Sequence, residues 1–414
     1  MADRNDAPER TPQLDRRDFL RVGAAATVGV GLLGSGAAAE PPKAAGFRTL
    51  GRTGLRISDI SFGSGFCRGP RVVRHAFDRG INYFDTAESY PLGAAGQAER
   101  AIGQALAGRR DQVILATKTE ARADQKQADF MAALEASLRR LRTDHADVYF
   151  NHAVNDLERL RNPEWHAFVA KAKEQGKIRF SGMSGHAGHL VPCLDAAIDE
   201  DLVDVILVAH NFGQDPAFYE KFTKGFDLVA IQPELPRVID KAHAKGIGVI
   251  AMKTLMGAKL NDMTPFTRPG DDVAHAAFRW VLSNPKVSGL VVSMKGPRMV
   301  DHYLRASGQA PRASDSAALR GYLLAHGGTQ CRLGCGACND ACPAGVPISD
   351  VLRTRMYARR YGEPDAARSE YARLGSGAAP CLSCAAPSCV AACPHDLPVA
   401  DLTRQTAALL GPKA

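Results

Sequence analysis

Eight of the ten cysteines lie between residues 331 and 393. Cys331, Cys335, Cys338 and Cys342 read C-x3-C-x2-C-x3-C and run into Pro343. Cys381, Cys384, Cys389 and Cys393 read C-x2-C-x4-C-x3-C and run into Pro394. Thiolates on short loops can wrap an iron–sulfur cubane, and a last cysteine before proline often ligates a second cluster. The two quartets also repeat beyond the cysteines, since CPAGVPI at 342–348 parallels CPHDLPV at 393–399. Zinc and disulfides compete for the same side chains. Structural zinc generally takes paired C-x2-4-C hooks, and disulfides need an oxidising compartment. Two Cys-Pro quartets in an internal repeat favour 4Fe–4S, while the x3 and x4 spacings leave room for another cluster type. Cys67 and Cys193 stand outside the set and read as buried, inert thiols.

A second group of capable side chains comes earlier: Asp85, Tyr90, Lys118 and His152. A phenol is a weak acid, with a reference pKa of about 10. A nearby ammonium favours the phenolate and lowers that value. Lys118 is suited to supply this charge and Asp85 to hold Lys118, while His152 is suited to hydrogen-bond a substrate carbonyl. Together the four can deliver a proton to oxygen while a hydride arrives at carbon. Singly, each has a plainer reading, as a strand-end cap, a snorkelling base or a satisfied core histidine.

Such residues need elements that bring them together. From residue 47 onward, apolar runs alternate with amphipathic stretches. Strands are expected over 59–65, 81–87, 113–119, 146–153, 178–185, 203–211, 248–254 and 289–294. A helix is expected over 124–141, with Phe130, Leu134, Leu138 and Leu141 on one face. Eight short buried strands alternating with helices over about 250 residues predict an α/β fold of the (β/α)8 TIM-barrel type. A doubly wound open sheet gives the same alternation, but no G-x-G-x-x-G follows the first strand. Barrel chemistry sits at the C-terminal strand ends. Asp85, Tyr90, Lys118, His152, Ser184, His186, His210, Asn211 and Lys253 all fall there.

The order and spacing of these residues resemble the aldo/keto reductase superfamily. The resembling stretches are LGRTGL at 50–55, GINYFDTA at 80–87 with Tyr90 five after Asp85, Glu99 to Gly103, Ala116-Thr117-Lys118, and GKIR at 176–179, within 47–306. The resemblance implies a nicotinamide-binding barrel whose catalytic tetrad is Asp85, Tyr90, Lys118 and His152, with Tyr90 the general acid. It implies that residues 47–58 form a hairpin plugging the barrel's bottom. It also implies a cofactor site, with Ser184 at the carboxamide and Ser293, Lys295 and Arg298 at the phosphates of NADP(H). The sequence departs from the family at that site. Gly185 stands where Asn is usual, Leu207 where Gln is common, and Met252 where an aromatic ring often stacks. The cysteine region resembles a two-cluster bacterial-type ferredoxin domain with a helical stretch over 349–374. That resemblance implies one cluster on Cys331, Cys335, Cys338 and Cys393, and another on Cys381, Cys384, Cys389 and Cys342.

The N-terminus reads as an address. Residues 22–36 are uncharged and rich in Gly and Ala, and are shorter than the roughly 20 residues a membrane span needs. Ala37-Ala38-Ala39 offers a cleavage site, so 1–39 reads as a signal peptide. The stretch Asp15-Arg16-Arg17-Asp18-Phe19-Leu20-Arg21 resembles a twin-arginine signal, with Asp15 where Ser or Thr is usual. That route carries folded proteins, which suits a cofactor inserted before export. It implies the Tat translocon as a partner and a periplasmic or otherwise exported location.

A content of 45% hydrophobic and 23% charged residues excludes a disordered, collagen-like or multi-span membrane protein. The net charge of +8 is scattered, and no basic helix or interleaved aromatic patch suggests nucleic acid. The expected organisation is a signal peptide (1–39), a barrel (40–306), a linker containing a helix near Tyr322 (307–330) and a small, mainly helical iron–sulfur domain (331–414). The expected function is that of an exported oxidoreductase acting on a small-molecule carbonyl or alcohol. It would carry two 4Fe–4S clusters, use NADP(H) and meet a redox partner protein. The alternative is an electron-transfer protein whose barrel is a non-nicotinamide scaffold for a respiratory or periplasmic partner. Non-redox acid/base work on a sugar-like substrate is a third reading, and it leaves the clusters with only a structural role.

Overall fold

Strands buried on both faces must be covered by helices, and the apolar runs after residue 58 satisfy this by closing on themselves. The computed structural model describes residues 40–412 except 92, 187–188, 215–231, 233, 256–271, 327–330, 332–335, 357, 360–363 and 395. The signal segment 1–39 and Cys335 therefore lie outside the described residues. A hairpin of β1 (Phe47–Thr49) and β2 (Arg56–Ser58) comes first. Then follow β3 (Ile60–Gly63), β4 (Tyr83–Asp85), β5 (Ile114–Thr119), β6 (Ala146–Asn151), β7 (Ile178–Gly185), β8 (Val205–Ala209), β9 (Gly248–Met252) and β10 (Gly289–Ser293). All neighbours are parallel, and β10 pairs with β3, which closes the barrel and excludes the open doubly wound sheet.

Helices cover the outside: α1 (Pro70–Asp78), α2 (Gln97–Ala105), α3 (Gln127–Leu141), α4 (Leu157–Leu160), α5 (Pro163–Glu174), α6 (Leu190–Asp199), α7 (Leu235–Ala244), α8 (Val273–Ser283) and α9 (Pro297–Leu304). Side chains alternate across each strand. On β5, Ile114 and Ala116 point into the barrel while Leu115 joins the core beneath the helices. Helix α3 buries Phe130, Leu134, Leu138 and Leu141 as its period requires. It starts at Gln127 rather than 124, because the Asp129 carboxylate accepts the Lys126 N–H (2.9 Å) and caps the first turn.

The hairpin closes the barrel's N-terminal end. Leu50, Leu55 and Ile57 pack with Tyr83, Ile114, Val148, Val205 and Ile250 inside the sheet. Arg52 N–H donates to Gly246 O (2.5 Å), tying the plug to the turn before β9. The approach is so close that a Cβ on Gly248 would stand 2.7 Å from Leu50 Cδ1.

After α9 the chain forms α10 (Ala313–His326), a longer helix than its position between two domains suggests. It packs on α8, where buried Arg279 donates to Asp315 through Nε (2.9 Å) and a terminal nitrogen (2.6 Å). At the start of α8, Asp272 accepts the His275 N–H (3.1 Å) and His302 Nε2–H (2.7 Å), so this carboxylate–histidine group is a hydrogen-bonded cap. The cysteine-rich region holds α11 (Ala337–Asp340), α12 (Ile348–Met356), α13 (Pro364–Ala372), α14 (Ser388–Ala391) and α15 (Val399–Leu410). Its small core joins Val346, Ile348, Val351, Leu397, Val399 and Leu410 to Cys338 and Cys389.

Candidate functional site

Three adjacent strands carry the first group of reactive side chains to the open end of the barrel. Asp85 ends β4, Lys118 points inward from β5, and His152 directly follows β6. Lys118 is 1% exposed and donates from Nζ to Asp85 Oδ1 (2.5 Å) and Thr86 O (2.7 Å). Tyr90 comes from the loop after β4. Its ring meets His152 edge to face, with centroids 5.7 Å apart, and lies 5.4 Å from Lys118 Nζ. The four residues singled out by their spacing thus converge.

The loop bearing Tyr90 is pinned from behind the sheet. Thr86 N–H donates to Ala116 O (2.9 Å), and Glu88 N–H to Lys118 O (3.2 Å). The Glu88 carboxylate accepts from Thr119 Oγ1. Deeper in the wall, fully buried Glu99 accepts from Thr117 Oγ1 (2.6 Å) and Arg140 Nε (2.5 Å). Arg159 fastens the end of β6 by donating to Ala121 O (2.7 Å), Ala153 O (3.0 Å) and His152 O (2.9 Å). Sequence reasoning assigned no role to Glu88, Arg140 or Arg159. The available signal was a pair of outward threonines on a strand whose other outward residue, Leu115, is apolar.

Burial dominates the electrostatics. It pushes the Asp85 carboxyl up and the Lys118 ammonium down, while their mutual attraction opposes both shifts. The Tyr90 phenol is raised by burial and then by the Asp85 charge. This differs from the expectation that Lys118 lowers it, because the ammonium is already engaged by Asp85 and Thr86 O. His152 is pushed down to about 3, first by burial and then by Lys118, Arg159 and Lys253. The imidazole is therefore neutral at ordinary pH. Asp85 Oδ2 and His152 Nδ1 are buried without a hydrogen-bond partner among the described residues, so polar capacity remains beside the phenol.

The residues expected at a dinucleotide fall into two groups. Ser293 ends β10, and exposed Arg298 lies in the first turn of α9, behind Gly296 and Pro297. Lys295 Nζ sits 4.5 Å over the Phe66 ring. These groups fit phosphates, because the α9 start has no side-chain cap. The nicotinamide end fits less well. Ser184 Oγ accepts the Ala153 N–H (3.2 Å), and a Cβ on Gly185 would stand 2.9 Å from Val154 O. No side chain can be added at 185 without moving that loop, and Leu207 is buried among apolar residues.

In the C-terminal domain, Cys342, Cys381, Cys384 and Cys389 line one cavity of about 150 Å³, together with Thr403 and Arg404. All four are unbridged thiols. Burial pushes the Cys381 and Cys389 thiols up. Four sulfurs around one cavity form the soft donor set that suits an iron–sulfur cluster. They are the set implied by the sequence, with Cys342 crossing over to the second quartet. Cys331 and Cys393 lie at the edge of the small core that also holds Cys338. Cys67, with Sγ 3.4 Å from Gly69 O, and Cys193 are buried in the barrel.

A closed parallel barrel with this strand-end group, followed by a thiol-lined domain, defines an oxidoreductase with an iron–sulfur module. Residues 70–269 match the aldo/keto reductase family model and residues 330–397 the 4Fe–4S dicluster domain model. The chain belongs to the aldo/keto reductase family and carries a ferredoxin-type 4Fe–4S domain at its C-terminus. An uncharacterized oxidoreductase of Bacillus subtilis, YrpG, is 30% identical over 294 residues, covering 61% of this chain and 87% of that protein. L-galactose dehydrogenase of Arabidopsis thaliana is 27% identical over 299 residues, covering 63% of this chain and 87% of that protein. An aldo-keto reductase of Bacillus halodurans, solved in its holo form, shares the fold with a TM-score of 0.53. It is 20% identical, covering 68% of this chain and 96% of that one.

Proposed function

We propose an exported iron–sulfur oxidoreductase that interconverts a small-molecule carbonyl and its alcohol at Asp85, Tyr90, Lys118 and His152. The observation that carries this reading is the buried Lys118–Asp85 pair set against the Tyr90 and His152 rings. Burial keeps the proton on Tyr90 Oη, so the phenol donates it to the carbonyl oxygen in the reducing direction. Two Lys118 N–H groups are held by Asp85 and Thr86 O, and the ammonium lies 5.4 Å from the Tyr90 ring, where its charge favours the phenolate that forms. Neutral His152 orients the carbonyl by hydrogen bonding and does not compete as an acid. NADP(H), with its phosphates at Ser293, Lys295 and Arg298 and its carboxamide toward Ser184, would supply the hydride. Two 4Fe–4S clusters, on Cys331, Cys335, Cys338 and Cys393 and on Cys342, Cys381, Cys384 and Cys389, would exchange single electrons with a redox partner protein, separately from the hydride step. Residues 1–39 would direct the folded, loaded protein to the Tat translocon and the periplasm.

Gly185, Leu207 and Met252 support a second reading, in which the barrel is an electron-transfer scaffold that binds no nicotinamide. Anaerobic purification followed by assays for iron, sulfide and released nucleotide separates the two. About eight iron per chain with bound NADP(H) is the expected result. The same iron with no affinity for NADPH favours the scaffold. Tyr90→Phe should abolish carbonyl reduction with iron content intact, and undiminished turnover in that variant overturns the role given to Tyr90.

A further inference from the structure

Arg404 stands in the second turn of α15 and donates to the carbonyls of two cysteines in one loop, Cys381 O from Nε (3.2 Å) and Cys384 O from a terminal nitrogen (2.9 Å). It also lines the cavity bounded by Cys342, Cys381, Cys384 and Cys389. A guanidinium always carries its charge. The carboxylate paired with it, Asp401, is 3.6 Å away with a side chain 68% exposed, so water screens that pair and leaves the charge felt at the cavity. The α15 N-terminus, lacking a side-chain cap, faces the same cavity through Ala400 and adds its partial positive charge.

The internal repeat carries an arginine at the matching sequence position. Arg404 lies eleven residues after Cys393, and Arg353 eleven after Cys342, each with an aspartate three residues before it, Asp401 and Asp350. Each cysteine is followed by proline and then by a helix, α12 or α15, that begins six residues on. The repeat therefore puts one arginine at the same helical position after each quartet.

We infer that Arg404 tunes the cluster on Cys342, Cys381, Cys384 and Cys389. This rests on the two-cluster reading above. A one-electron reduction adds a negative charge to the cluster, and a fixed positive charge beside the ligand loop stabilises that state and raises the reduction potential. The fork-shaped contact to two ligand carbonyls also holds the loop's sulfurs in place, which a lysine reproduces only as a point charge.

The test is a dithionite titration of the holoprotein followed by electron paramagnetic resonance, with iron content measured on each sample. Arg404→Gln should lower the potential of one cluster only. At the potential where that cluster is half reduced in the native protein, its reduced-to-oxidised ratio should fall roughly fivefold, the size of a partly screened charge. Arg404→Lys should keep the native potential but lose iron faster in air. Full iron loading with an unchanged potential in Arg404→Gln overturns the inference. If Arg404→Gln does not retain iron, a lowered potential in Arg404→Lys counts against the charge as the cause. A native protein with fewer than two reducible clusters overturns the two-cluster reading itself.

Discussion

Lys118 and Asp85 on one side, and Cys338 and Cys389 on the other, are all removed from water, yet different things keep them there. In the barrel, adjacent strands supply both members of the ion pair, and the threonine–glutamate contacts behind β5 fix the loop that brings Tyr90. The protein alone completes that site. In the C-terminal domain the cysteines approach one another across short helices with a small apolar core between them. Like donors that gather around a cavity gain little from one another, so a bound ion or cluster has to supply the missing attraction. A site built from paired opposites stands by itself, whereas a site built from identical donors depends on its guest.

The sharpest way to break this contrast is to remove the iron. Chelation, or Cys389→Ser, should unfold the C-terminal domain while the barrel keeps its own thermal transition, giving separate melting events by calorimetry. A single unchanged transition would erase the distinction. On the barrel side, Tyr90→Phe should cut turnover by about 10²–10⁴-fold with no change in melting temperature. Arg279→Met removes one partner of a buried ion pair and strands Asp315. It should cost about 3–5 kcal/mol in a urea melt and release α10 from α8. Gly248→Ala adds a methyl against Leu50 and should cost about 1–3 kcal/mol, with the hairpin exchanging amide hydrogens faster.

The smallest effect at neutral pH is the most specific. The folded-state value of His152, about 3, lies below its free value of 6.5, so the unfolded chain takes up the extra proton between these limits. Stability should fall as pH drops from about 6.5 toward 3, and His152→Asn should flatten that slope while matching the native slope above pH 7.

The strands were legible because apolar runs of strand length recur between helical periods, and the tetrad was legible because its members end successive strands. The plug followed from the resemblance carried by residues 50–55. What stayed hidden lies in long-range partners. Nothing local marks Glu99 as the acceptor for Thr117 and Arg140, or Arg279 as the anchor for Asp315, since these pairs meet only once the barrel closes. Helix α10 looked like a linker for the same reason. Its own pattern is only weakly amphipathic, and the buried arginine that docks it is supplied by α8. The Tyr90 phenol was expected to be lowered and is raised, because sequence spacing reveals a lysine's presence but not how much of its charge a neighbouring aspartate and carbonyl have already claimed.

Among the described residues, the hairpin fills the barrel's lower end and leaves the interior open only toward the strand ends that carry Tyr90 and His152. Reactant and product share that opening, and so does anything that covers them. If the proposed nicotinamide and a carbonyl substrate meet over Tyr90 and His152, they would queue, with the deeper one entering first and leaving last. Steady-state traffic through such a room would be sequential, and a product that lingered at the door would slow turnover as effectively as a competitor inside.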